Sequence, residues 1–283
     1  MKHFFTSLFV LFACCAIAQP SLPQPSPGAT AKQTVGLTDI EVVYSRPGKK
    51  NRKIFGELVP FNELWRTGAN KATAISFNTD ITIGGKAVKA GTYSLFTKPG
   101  KTEWTIILNS ETELWGTGGF DEAKNVASFK VKSKSLSNTV ETFTINFRNI
   151  TENDAELFIQ WDNTEASCKI TVDCEAQAWK NIDESIKNVG DNWRIYVRSA
   201  DYAVNKGKKL DEALAWTEKA LAMEEYWWTY WVQARVYAAK GDYKNAQKSL
   251  KSSIKLGEET KDWGYGEKLE KLMEEYKTAS KKK

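Results

Sequence analysis

Few side chains in this sequence could do chemistry, and one type is almost missing. The only histidine is His3, inside an N-terminal run that reads as a removable export signal, so the mature chain carries no imidazole. That excludes Ser-His-Asp and Cys-His mechanisms and any zinc or iron site built on histidine. Cationic loops remain. Arg46, Arg52, Lys53, Arg66 and Asn70 come from two polar loops flanking apolar strands. Gathered at one end of a β domain they would form a ligand-binding site for an anion or sugar acid, through the planar guanidinium fork. The plainer reading has Arg46 and Arg66 bracing loop carbonyls and carboxylates, with Lys49, Lys50 and Lys53 merely solvated.

Carboxylates offer the one catalytic route that needs no histidine, since glycoside hydrolysis uses a pair of them. Glu63, Glu103, Glu111, Glu113, Asp121 and Glu141 are available, yet no spacing singles out two. Glu111-Thr112-Glu113 before Leu114-Trp115-Gly116 suggests a cleft rim. The glycine loops Gly84-Gly85 and Gly116 to Gly119 precede no phosphate-binding helix, so they read as turns. No catalytic constellation, metal site or cofactor is expected. After export two cysteines remain, Cys168 and Cys174. Alternation in Ser167 to Cys174 puts both on one face of a single strand, about 20 Å apart at about 3.3 Å per residue, too far for a disulfide. Two buried free thiols are the favoured reading, with a diagonal bridge through a sharp bulge as the minor alternative.

The elements that must position these groups are legible from punctuation. Between Trp65 and Asn109, the runs Ala72 to Phe77, Ile81 to Ile83, Ala87 to Val88, Thr92 to Thr97 and Trp104 to Leu108 are strand-length, and Gly84-Gly85, Ala90-Gly91 and Lys98-Pro99-Gly100 are turns. Thr38 to Ser45 is a strand with Ile40, Val42 and Tyr44 on one face. Ala127 to Val131, Phe143 to Phe147, Ala155 to Trp161 and the cysteine strand alternate in the same way. About ten antiparallel strands without intervening helices predict a β-sandwich or jelly-roll-like domain over residues 31–174.

Upstream, Lys2 and the apolar run Phe4 to Ala18, ending Ala16-Ile17-Ala18, predict a signal peptide over residues 1–18. A lipoprotein site at Cys14 is the minor alternative. Residues 19–30, with four of the seven prolines, form an extended tether. The protein should therefore be extracytoplasmic, periplasmic or secreted, with no integral membrane segment after cleavage. Cleavage leaves 39 basic against 35 acidic residues spread along the chain, which is no nucleic-acid signature.

At Cys174 the period changes from 2 to about 3.6. Trp179, Ile182, Ile186 and Val189 form one helix stripe. Trp193 to Lys206 pairs with Leu210 to Met223, and Tyr226 to Lys240 with Tyr243 to Leu256. Gly207 and Gly241 lie 34 residues apart, as do Ala200 and Ala234, and Tyr230, Ala234, Tyr237, Ala246 and Leu250 fall where tetratricopeptide repeats carry their aromatic, small and apolar residues. Residues 175–283 resemble that family, with Lys268 to Lys277 as a polar-faced cap. The resemblance implies that Trp228, Trp231 and Arg235 lie on a concave, partner-binding helix face. The alternative is packing between hairpins, because consecutive aromatics cannot all face one core.

The β region closely resembles the bacterial family known as domain of unknown function 2911. The likeness rests on Gln33-Thr34-Val35-Gly36, Tyr44-Ser45-Arg46-Pro47, Arg52-Lys53-Ile54-Phe55-Gly56, Leu58-Val59-Pro60, Trp65-Arg66-Thr67-Gly68-Ala69-Asn70, Ile83-Gly84-Gly85 and Ala90-Gly91-Thr92-Tyr93-Ser94-Leu95. Phe61 stands where the family carries tyrosine. The resemblance implies an exported β domain, often joined to helical repeats, and no activity. The expectation is thus α+β in separate domains, an antiparallel β-sandwich followed by an all-α tetratricopeptide-like array. It would act as a non-catalytic binding or assembly module for a protein, peptide or cell-envelope glycan. A carboxylate-dependent carbohydrate hydrolase is the alternative.

Overall fold

A computed structural model describes residues 22–261 and 265–281. The expected signal peptide and its cleavage point lie outside the described residues. The chain divides into two compact units between Cys174 and Glu175.

The first unit is a nine-stranded antiparallel assembly of β1 (Gly28–Val35), β2 (Thr38–Ser45), β3 (Thr73–Phe77), β4 (Ile81–Ile83), β5 (Lys86–Val88), β6 (Gly91–Pro99), β7 (Glu103–Asn109), β8 (Asn125–Arg148) and β9 (Asp154–Thr171). The strand order is β1-β2-β3-β6-β7-β8-β9-β4-β5. The first third of β8 pairs with β7 and the remainder with β9, so this one strand passes from one layer of the sandwich into the other. Past β2, Gly48 bridges to Thr142 of β8 and brings the first layer back over the second.

Four of the expected strands merge into β8 and β9. In β9 the buried apolar residues are Ala155, Leu157, Ile159 and Trp161, then Ala166, Cys168 and Ile170. The change of parity falls at Asp162, whose φ of 53° marks a bulge that turns the strand without ending it. Cys168 and Cys174 are buried, and no disulfide joins them. They do not share a strand, because β9 ends at Thr171 and Cys174 opens a helix. Burial, reinforced by the charge of Glu156, pushes the Cys168 thiol up to about 12.

The sandwich interior is one continuous apolar cluster, drawn from alternate residues of every strand. A smaller cluster on the outer face joins Ala72, Phe96 and Ile107 to Leu64, Leu114 and Phe120 of the covering loops. Turn chemistry fixes the registers. Ile83 pairs with Lys86 across Gly84-Gly85, both at positive φ as a two-residue hairpin requires.

The second unit contains α1 (Cys174–Lys187), α2 (Trp193–Lys206), α3 (Leu210–Met223), α4 (Trp227–Ala239), α5 (Tyr243–Thr260) and α6 (Gly266–Ser280). From α2 onward each helix packs on the next, and α2 also packs on α4. Asn192 and Asp242 cap α2 and α5 with side-chain hydrogen bonds to backbone amides, and Gly207 ends α2 in the left-handed conformation. No helix among the described residues is long and apolar enough to cross a membrane.

A Cβ at Gly84 would sit 2.1 Å from the buried Phe129 ring, whereas one at Gly85 meets nothing. Both substitutions strain a positive φ, so Gly84→Ala should cost about 2 kcal/mol more than Gly85→Ala through overlap alone. Urea unfolding of the two variants checks this, and equal midpoints would contradict the packing described.

Candidate functional site

The loop from Trp65 to Asn70 is held in a conformation that its sequence does not prefer. Thr67 at φ 55°, Gly68 at 154° and Asn70 at 61° are all positive, and a β-branched residue there is strained. The surroundings compensate. Trp65 exchanges backbone hydrogen bonds with Thr97 of β6, at 2.8 and 2.9 Å. Its indole Nε1 donates to the Gly68 carbonyl at 3.1 Å, and Thr73 Oγ1 donates to the Thr67 carbonyl at 2.6 Å. Below the loop the Trp65 ring stacks on Trp161 at 6.0 Å and meets Phe143 edge-on at 5.2 Å.

Above this aromatic floor lies a cavity of about 370 Å³, with Arg52, Arg66, Asn70 and Lys50 among its lining residues. Pro25 and Ser26 of the tether form part of its wall, with Asn70 Nδ2 donating to the Ser26 carbonyl at 3.4 Å. No Asp or Glu lines it. Glu141 approaches from outside, where its carboxylate accepts from the Lys50 backbone N–H at 2.8 Å. Arg66 differs from the other arginines around it. Its Nε is buried without an acceptor, and burial lowers the guanidinium from its usual range.

Of the five cationic-loop residues expected from sequence, Arg52, Arg66 and Asn70 line this cavity, and Arg46 and Lys53 do not. Arg46 instead spans to β8, donating from Nε to the Phe143 carbonyl at 3.0 Å and from Nη2 to Thr144 Oγ1 at 2.8 Å. Lys53 pairs with Glu57 at 3.1 Å in an exposed ion pair. Arg52 spends Nε on the Lys49 carbonyl at 2.9 Å and Nη2 on the Gly48 carbonyl. Lys50 and the tether wall were missed, because a basic run gives no sign of which of its residues borders a cavity.

On α4 the two tryptophans of the expected partner face separate. Trp228 packs with the cluster built on α2 and α3, and Trp231 with the one built on α5 and α6. Arg235 lies 5.7 Å from the Trp231 ring, and its guanidinium is held by Asp201 and Asn205. Lys268 and Tyr265 also lie against Trp231, at 5.2 and 5.6 Å. The reason is that α4 is apolar on all sides, so it is packed from both.

Four of the carboxylates considered for hydrolysis are occupied separately. Glu103 pairs with Lys130 at 2.7 Å, Glu111 with Lys124 at 2.7 Å and Glu113 with Lys71 at 2.9 Å. Asp121 caps a short helical turn by accepting from the Ala123 amide at 2.9 Å. Two carboxylates do meet elsewhere, where Glu156 and Glu165 share Arg148, at 3.0 and 2.6 Å. The shared guanidinium holds Glu156 down to about 2 and also lowers Glu165. A hydrolase needs one carboxyl raised to serve as acid; here both are held ionised.

The family model described as "Protein of unknown function (DUF2911)" matches residues 26–170. No curated protein and no solved structure matches the chain.

The Arg148 cluster sets a pH dependence. Glu156 is held below its ordinary 4.5 in the folded chain, so its contribution to stability is complete above that value and is lost as pH falls toward about 2. Arg148→Met should destabilise the protein by roughly 3 kcal/mol at neutral pH, since it strands two partly buried carboxylates. The gap from the parent should narrow as pH falls through that window. A gap independent of pH in chemical denaturation would contradict the assignment.

Proposed function

The chain belongs to the DUF2911 family, a membership that brings no activity with it, and from the geometry we propose that it is a non-catalytic binding module that recognises an anion. One observation carries this reading: the Arg66 guanidinium, unpaired at Nε, lines a cavity that also takes Lys50 and Arg52 and no carboxylate. Desolvating a charge without a partner is costly. A carboxylate or phosphate-type oxyanion entering the cavity would give the guanidinium the counter-charge it lacks and charge-assisted hydrogen bonds. The strained loop beneath supports a functional reading, because strain of this kind persists only where the surroundings over-determine it.

We also propose that the protein is exported by cleavage after Ala18, and that its helical unit is a short tetratricopeptide-like array acting in assembly. N-terminal sequencing of the exported protein should begin at Gln19. A start at Cys14 would replace soluble export by lipid anchoring.

The binding claim is tested by thermal unfolding of the exported protein in inorganic phosphate, sulfate and citrate, against sodium chloride at matched ionic strength. An anion at about a hundred times its dissociation constant should add about 2.7 kcal/mol and raise the midpoint by roughly 2 to 4 °C for each kcal/mol. Arg66→Ala should fold as stably as the parent, since it removes a half-buried cation whose Nε has no acceptor, and lose the shift. An identical shift in Arg66→Ala would sink the proposal.

A further inference from the structure

Among the described tryptophans only Trp115 is exposed, with 73% of its surface in water. A single exposed apolar residue needs no explanation on a mobile loop tip. Trp115 is not so placed. Leu114 on one side is anchored in the outer-face cluster with Phe96 and Ile107. The Leu114 carbonyl accepts from the Ala72 amide at 2.9 Å, and the Gly116 amide donates to the Asn70 carbonyl at 3.1 Å. Trp115 itself bridges to Lys71. Its backbone is thus pinned on both sides to the segment that continues the Arg66 loop.

That placement puts Trp115 beside the anion cavity. A Cβ on Gly116 would lie 3.9 Å from Arg66 Nη1, so the chain next to Trp115 runs past the guanidinium itself. Asn70, whose carbonyl holds Gly116, lines the cavity. The neighbouring acidic residues do not repel an incoming anion as free charges would, because Glu113 pairs with Lys71 and Glu111 with Lys124. A solvent-facing indole on a fixed backbone offers a large flat surface with only two side-chain torsions to order on binding. Its electron-rich face attracts the weakly positive C–H groups of a saturated ring.

We propose that the site binds an acidic glycan, with the acid group on Arg66 and an adjoining sugar ring on Trp115. This rests on the anion reading above and adds the class of ligand and a second contact residue. A free anion uses only the cavity. A glycan acid uses the cavity and the indole together, which accounts for an exposed tryptophan held rigidly at its edge. The acid group is a carboxylate or a sulfate ester, both of which offer the oxygens that a guanidinium fork binds.

The test titrates the exported protein by calorimetry with inorganic phosphate, a galacturonic acid monomer, its oligomer, a sulfated oligosaccharide, an uncharged oligosaccharide of equal length, and a nucleoside monophosphate. The acidic oligomer should bind about tenfold more tightly than its monomer, the gain expected of one aromatic contact. Comparing the uronic and sulfated oligomers identifies the acid. Trp115→Ala should abolish that gain while leaving phosphate affinity unchanged, and Trp115→Tyr should restore most of it. Arg66→Ala should lose phosphate and glycan alike. If Trp115→Ala leaves the oligomer's affinity intact, or if the nucleotide binds more tightly than any glycan, this inference is overturned while Arg66-dependent phosphate binding still upholds the anion reading. Phosphate binding indifferent to Arg66→Ala would remove both.

Discussion

The β unit depends on what surrounds Trp65. This ring contacts Phe55, Trp104, Phe143 and Trp161, which come from the basic loop, β7, β8 and β9. Aromatic pairs at such separations are worth about 0.5–1.5 kcal/mol each beyond the area they bury. Removing the indole would therefore loosen both layers at once. The same residue fixes the loop that follows it, through its backbone pairing with Thr97 and the bond from its Nε1 to Gly68. Core and candidate site are coupled through one side chain. The left-handed conformation of Thr67 can persist because the residue two positions before it is locked on three sides.

That coupling explains what was legible in the sequence. Strand-length runs between glycine turns are local signals, and β2 and β4 have the limits that alternation and turn residues suggest. The helices α2 and α3 likewise begin and end where their apolar stripes do. Long-range continuity was not legible. The middle of β8, from Lys132 to Thr142, has no buried residue, and its pairing with β9 shifts register on both sides of Val140, so alternation is lost there although the strand itself runs on. In β9 a single left-handed residue at Asp162 reverses which parity faces inward, and a reader following period 2 sees two strands.

The candidate site was legible in part for a related reason. Sequence marks where cations cluster, but not which of them the fold satisfies. Arg46 looks no different from Arg66 until β8 supplies the Phe143 carbonyl and Thr144 hydroxyl that occupy it. Lys53 finds Glu57 one helical turn's distance along the chain. Trp228 and Trp231 had the right residue type and a spacing that favours one face, and the all-round apolar character of α4 still divided them between two clusters. Partnering, rather than composition, distinguishes a brace from a site.

Two arginines of the β unit meet their charge in opposite ways. Arg148 has two carboxylates and an aromatic ring against it, with Phe158 at 4.9 Å. Its interactions hold two strands together and leave nothing for a ligand. Arg66 lines a cavity with Trp65 and Trp161, and no carboxylate among the described residues lines it beside them. In the first case the fold supplies the counter-charges, and the arginine serves stability. In the second the fold supplies the position and leaves the counter-charge out, the arrangement that the proposed anion would complete. The structure thus accepts a local loss of stability at one arginine that it avoids at the other.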